Sequence, residues 1–179
     1  RQNVAPAASG WVFRLMPFVT VGVMLTVATA LPMVTLASPL PQTGDLITLL
    51  YLFAVARFFF ALAGLDTGSP FTALGASREA LLGVLVEPML LLGLWVTAQI
   101  ASSTHISQLA ATVYHWPLDH SLPLLLALCA CALATYIEMG KLPFDLAEAE
   151  QELQEGPLSE YSGAGFAVVK WGISLKQLV

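Results

Sequence analysis

Charge is what this sequence has least of. Of its 179 residues 11% are Asp, Glu, Lys or Arg and 57% are hydrophobic, whereas an average soluble domain carries about 25% charged residues. So few charges could not cover a soluble globule of this size, and a mean hydropathy of +0.77 makes lipid the expected solvent. Cysteine is nearly missing too. Cys129 and Cys131 sit two apart in an apolar run, which on a helix points them to different faces, and they read as small apolar packing residues. His105, His115 and His120 are spaced ten and five apart, which does not bring ligands to one helical face, so no metal site is expected. There is no Gly-rich phosphate loop in a strand-to-helix context, no basic stripe and no internal repeat, which excludes nucleic acid as a partner. Nothing supplies a nucleophile or a cofactor fingerprint, so the chain is expected to carry no cofactor and to be non-catalytic itself.

What the sequence does have is long apolar runs. They are continuous rather than alternating, which selects helices, and in lipid the backbone must satisfy itself within helices or a closed barrel. A span needs roughly 20 apolar residues. Trp11 to Ser38, Leu46 to Leu65, Ala80 to Ala101 and Ser121 to Ile137 meet or approach that length, and a fifth run covers Ala164 to Val179. The expected fold is all-α, a polytopic transmembrane helical bundle forming a single membrane domain over residues 1–179. Pro17 and Pro32 are placed to kink or delay the first span, and Arg14 is near enough to its end to snorkel. The chain begins at Arg1 and stops at Val179 inside an apolar pattern, and so reads as an internal stretch of a longer protein.

The connections sort by parity. Asp66 to Glu79, Met139 to Tyr161 and the N-terminal stub share one side and hold Arg1, Arg78 and Lys141. Ala37 to Asp45 and Ser102 to His120, on the other side, contain no lysine or arginine. The positive-inside rule makes the first side cytoplasmic, so a multi-pass protein of a bacterial inner membrane is expected.

Seven of the twelve acids fall between Glu138 and Glu160. Within this loop, 138–163, Pro143 is placed to open a helix, Asp145 to favour its positive end, and Gly156 with Pro157 to stop it. At 100° per residue Asp145, Glu148, Glu152 and Glu155 share one stripe, and Leu146, Ala149 and Leu153 an adjacent apolar one. A short amphipathic acidic helix is expected. Glu152 and Glu155 would then crowd its negative end, where like charges repel, so a demand beyond solubility is implied: a basic partner surface or a proton path.

The run P-F-D-L-A-E-A-E-Q-E-L, followed by E-Y-S-G, resembles the signature loop of the quinone-site membrane subunit of complex I. Glu138, Lys141, Pro143, Phe144, Asp145, Glu148, Glu150, Glu152, Leu153, Glu160 and Tyr161 match it. Met139 and Gly140 replace the usual polar pair, and Lys141 replaces an arginine. These departures, with the G-L-D-T-G-S-P-F and A-S-R-E-A blocks, are closer to the hydrogenase branch, which includes the membrane subunits of formate hydrogenlyase and hydrogenase-4. The resemblance covers nearly the whole chain. It implies the central part of an eight-helix subunit whose acidic loop lies beneath a soluble electron-transfer arm. The implied partners are nickel–iron hydrogenase large and small subunits, an iron–sulfur protein and antiporter-like membrane subunits. Iron–sulfur clusters and the nickel–iron centre would belong to those partners. Arg78, Lys141, Glu155, Glu160 and Tyr161 are candidates for docking the arm.

Two charges sit inside the spans, where insertion costs about 2.5–3.5 kcal/mol unless they face protein or water. Glu87 is followed by Pro88, which cannot donate to the Val84 carbonyl. It reads as a proton-relay carboxylate or as the structural partner of Arg57. By the resemblance Glu87 matches a carboxylate of the family's membrane channel, although Pro88 departs from the usual residue there. Arg57 stays charged in any setting and needs an anionic partner, for which Glu87 and Glu138 are the candidates. Glu138 ends the fourth span and is placed to join the acidic loop to Glu87. The proton-path candidates are thus Glu87, Glu138, Asp145, Glu148, Glu150 and Glu152. Ser77, Arg78 and Glu79 are placed to cap the third helix. The expected function is the membrane anchor of a hydrogenase complex of the formate hydrogenlyase type. The alternatives are the complex I subunit itself, a proton-coupled transporter and an anchor that moves no protons.

Overall fold

Prolines and close contacts between small residues decide where each apolar run starts, stops and packs. The protein is described by a computed structural model over residues 9–33, 44–145 and 156–179. Its helices are α1 (Trp11–Ala30), α2 (Leu46–Asp66), α3 (Pro70–Ala101), α4 (Ile106–His115), α5 (Ser121–Glu138) and α6 (Gly163–Leu178). Short 3-10 turns occupy Leu118–His120 and Gly156–Leu158. No named strand occurs among the described residues, and a single antiparallel bridge pairs Asp45 with His105. Helices α1, α2, α3 and α5 are long and apolar enough to cross a membrane. The fold is a multi-pass helical bundle.

The first helix ends earlier than expected. Leu31 is extended, with ψ 140°, because the ring of Pro32 disfavours helical geometry in the residue before it. So α1 closes at Ala30 instead of running to Ser38. The third helix starts earlier than expected. Ser69 is extended, and Pro70 occupies the first helical position, where its missing N–H costs nothing. Ser77, Arg78 and Glu79 therefore lie inside α3 and cap nothing. Between α2 and α3, Gly68 takes a φ of 70°, and the hydroxyls of Thr67 and Thr72 meet at 2.5 Å in a buried staple.

Helix α1 packs between α2 and α6, and α3 between α2 and α5. Small residues let these helices approach closely, as is usual where lipid gives no hydrophobic drive to association. A Cβ on Gly64 would lie 2.7 Å from Ala76 Cβ, and one on Gly93 2.6 Å from Cys131 Sγ. Apart from Asp145, the residues of the expected acidic and apolar stripes, Glu148, Glu152 and Glu155 and Leu146, Ala149 and Leu153, lie outside the described residues, as does Glu150. The turn that follows, Gly156–Leu158, is buried against α3 and α2.

One end of the bundle is closed by two side chains that serve orphaned backbone groups of α1. Asp66, the last residue of α2, accepts hydrogen bonds from the Gly10 and Phe13 amides at 2.8 and 3.2 Å. It caps from a neighbouring helix the N-terminus that Gly10 has no side chain to cap. Pro17 has no N–H to give the Phe13 carbonyl, and the Tyr161 hydroxyl donates to that oxygen at 2.7 Å instead. The Tyr161 ring stacks on Phe13 with centroids 4.0 Å apart. Burial, helped by the charge of Asp66, pushes the Tyr161 phenol well above its ordinary range, so it stays a donor.

Replacing Tyr161 by Phe should lower stability by about 1–3 kcal/mol, because it strands a buried carbonyl. Thermal unfolding of the full-length protein in mild detergent measures this. An unchanged midpoint would show that water takes the tyrosine's place.

Candidate functional site

Arg57 projects from the middle of α2, about 14 Å along the axis from Asp66. Its side chain is 9% exposed, and a guanidinium that deep must find carboxylates. It finds several at once. Nη1 donates to Glu87 Oε1 at 2.7 Å, Nη2 donates to Glu138 Oε2, and Nε lies 3.8 Å from Glu79 Oε1. Lys176 of α6 adds a second cation, with Nζ 3.1 Å from Glu138 Oε1 and 4.0 Å from Glu79 Oε1. Four helices thus meet in one ion cluster.

The pattern on α3 explains how Arg57 fits. Glu79, Gly83 and Glu87 recur every four residues and share one face. Gly83, between the acids, leaves the space that Arg57 fills: a Cβ there would stand 2.6 Å from Arg57 Cδ. On α5, Glu138 is the last helical residue, so the chain leaves the bundle at the level of the arginine and leaves a gap beside it. That gap is a cavity of about 90 Å³, enough for several waters on a measure where one needs about 10–15 Å³. Its lining includes Arg57, Glu79, Glu138, Asp145 and Lys176 as its charged side chains, with Met24 and Phe53 among the apolar ones. Arg57 Nε is buried without a hydrogen-bond partner.

The candidates read from the sequence fall into three groups. Arg57, Glu87 and Glu138 come together, and Arg57 bonds both of its candidate carboxylates rather than choosing one. Asp145 lines the cavity beside them. Glu87 is 40% exposed and does not line the cavity, so the cluster presents Glu79, Glu138 and Lys176 to the cavity and Glu87 away from it. Glu148, Glu150, Glu152 and Glu155 lie outside the described residues. Among the docking candidates, Lys141 is exposed, Arg78 and Glu160 are half-buried, and Tyr161 is 8% exposed. The Tyr161 ring stacks on Phe13 inside the bundle.

Sequence reasoning misses two members. A helix starting at Ala80 makes Glu79 a cap, yet its four-residue recurrence with Gly83 and Glu87 is visible in the sequence. Lys176 has no local signal. Its place depends on α6 packing beside α1, which brings it over the end of α5.

Gly83→Ala should displace Arg57 and cost about 1–3 kcal/mol by overpacking, whereas Gly22→Ala, with nothing within 4 Å of the new Cβ, should be tolerated. Arg57→Met leaves the carboxylates uncompensated and should destabilise by about 3–5 kcal/mol. Unfolding of the three full-length variants in detergent ranks them, and a Gly83 variant as stable as the Gly22 one would contradict the packing.

The chain is similar in sequence and in shape to known proteins. The NADH dehydrogenase family profile matches residues 1–179. Formate hydrogenlyase subunit 4 of Escherichia coli (strain K12) is 82% identical over 179 residues, covering 100% of this chain and 58% of that protein. Hydrogenase-4 component C of the same organism is 61% identical over 180 residues, covering 100% and 56%. The H-type subunit of NADH-quinone oxidoreductase from Rubrobacter xylanophilus is 32% identical, covering 95% and 52%. The chain therefore spans somewhat more than half the length of these curated relatives. A chain in the structure of the membrane-bound sulfane sulfur reductase, an archaeal respiratory membrane complex, superposes with a TM-score of 0.75 at 26% identity, covering 99% of this chain and 60% of that one.

Proposed function

The chain belongs to the NADH dehydrogenase family, and from that premise we propose that it is part of the membrane-anchor subunit of a nickel–iron hydrogenase complex of the formate hydrogenlyase type. In this reading the acidic loop, on the cytoplasmic side of the inner membrane, docks a soluble electron-transfer arm. The carboxylates below it form a proton path into the membrane. The partners are the hydrogenase large and small subunits, an iron–sulfur protein and antiporter-like membrane subunits. The redox cofactors belong to those partners.

The observation that carries the reading is the ion cluster beside the cavity. A lone structural ion pair would need one carboxylate for Arg57, yet Glu79, Glu87 and Glu138 all approach it. Asp145, within the acidic loop, lines the same cavity. A series of carboxylates from loop to cavity to span is what a proton path requires, since carboxylates take up and release protons. Arg57 keeps its own proton and serves as the fixed charge that orders them. The identity with formate hydrogenlyase subunit 4 supports the hydrogenase branch. A second reading, the quinone-site subunit of complex I, is favoured by the family's name and by the 32% identity with the NADH-quinone oxidoreductase relative.

Affinity purification of the full-length protein in mild detergent, with mass spectrometry and metal analysis, separates these readings. A nickel-containing large subunit and iron–sulfur proteins without a flavin-bearing NADH module are the expected companions. An NADH module without nickel would move the assignment to complex I, and a lone chain would leave a transporter. In the assembled complex, Glu87→Gln should reduce proton movement per turnover at least ten-fold while the arm stays bound. Unchanged movement would make Glu87 purely structural.

A further inference from the structure

Among the described residues, the ion-paired cluster has one carboxylate more than it has cations. Glu79, Glu87 and Glu138 face Arg57 and Lys176, so with every group ionised these five hold a net charge of −1. In a low-dielectric span an unmatched charge is costly, and one added proton makes the cluster neutral. The question is which group passes that proton in. Arg57 is excluded, because a guanidinium keeps its proton in proteins.

Lys176 has the required geometry. It is the other cation, its Nζ touches Glu138 Oε1 at 3.1 Å, and it lines the cavity from the α6 side. Its side chain is 22% exposed, between the sealed arginine and open solvent. Four segments around it present a charged group, Arg57 from α2, Glu79 from α3, Glu138 from α5 and Asp145 from the segment after α5, while α1 contributes the uncharged Thr20 and Met24. An ammonium can lose a proton to a touching carboxylate, and its flexible stem can turn between Glu138 and the cavity.

We propose that Lys176 is the proton-exchanging member of the cluster, passing protons from cavity water to Glu138; this rests on the proton-path reading above and names its entry step. In that step a Lys176 Nζ–H bond breaks as the Glu138 Oε1–H bond forms, leaving a neutral amine beside a neutral carboxylic acid. A hydronium arriving through the cavity then gives its proton to the amine and restores the ammonium. The net result is one proton taken from water onto Glu138 and a cluster charge moved from −1 to 0, with no redox change. Neutral Glu138 no longer holds Arg57 Nη2 as an ion pair, which leaves the guanidinium to Glu87 and Glu79.

The test uses the assembled complex of the full-length protein in membrane vesicles. Lys176→Arg keeps the charge but cannot give up a proton, whereas Lys176→Met removes both. Both should lower proton movement per turnover at least ten-fold when normalised to the amount of bound arm. If Lys176→Arg moves protons as wild type does, the lysine is only a counter-charge and the proposal is overturned. A second readout does not depend on proton movement at all. Brief treatment of the same vesicles with acetic anhydride, followed by peptide mass spectrometry, reports lysines that pass through the neutral amine. Acetylation of Lys176 within ten-fold of exposed Lys141, rising in Glu138→Gln, is expected. Labelling only in Glu138→Gln would show an ammonium locked in its ion pair and overturn the proposal. So would no labelling in either protein, which would show a cavity closed to solvent. If the wild-type complex moves no protons, the path proposed above fails, while the labelling still decides whether Lys176 exchanges.

Discussion

The burial of one guanidinium organises this bundle. Arg57 sits mid-helix in a chain with almost no other charges to spare, and its solvation must come from protein. Removing one partner from a buried ion pair costs more than the pair is worth, because the remaining charge is stranded. The helices that supply its carboxylates, α3 and α5, are therefore held to α2 at a fixed height, and Lys176 ties α6 to the same point. The end of α5 at Glu138 and the glycine at position 83 both fit this demand. The first brings a carboxylate to the depth of the arginine and opens the cavity. The second clears the room its side chain needs.

A second constraint acts at the N-terminal end of α1. In lipid each backbone donor and acceptor needs a partner, and Gly10 and Pro17 each leave α1 short of one. The repairs come from distant parts of the chain, Asp66 for the amides and Tyr161 for the carbonyl. Together these two layers resist sliding of the helices along one another. Asp145, in the segment after α5, and most of the Arg57 cluster line one cavity with room for several waters. The proposed function rests on that adjacency: the segment that follows α5 and the charges of the Arg57 cluster line a single cavity.

Much of this was legible in one dimension. Apolar runs of span length and the scarcity of charge define a polytopic helical protein, because the bilayer imposes length and polarity on each segment separately. The same locality made Arg57, Glu87 and Glu138 visible, since a charge inside an apolar run stands out against its neighbours. The motif around Pro143 to Leu153 carried the family, and the relatives agree with that resemblance. Boundaries were less legible where proline acts at a distance of one residue, as at Leu31 and at Pro70, and the later expected start of α3 hid Glu79 as a cap.

What the sequence by itself determined is the solvent, the helical class, the family and the presence of charges that need partners, all set by the local pattern of side chains. Tertiary structure alone decided how the partners are shared. It gave Arg57 both of its candidate carboxylates and a third nearby, turned Tyr161 inward onto the carbonyl that Pro17 leaves open, and brought Lys176 from the last helix onto Glu138. Those outcomes depend on which helices lie side by side. That neighbour order, with α6 against α1 instead of α5, is fixed by close packing of small residues far apart in the chain.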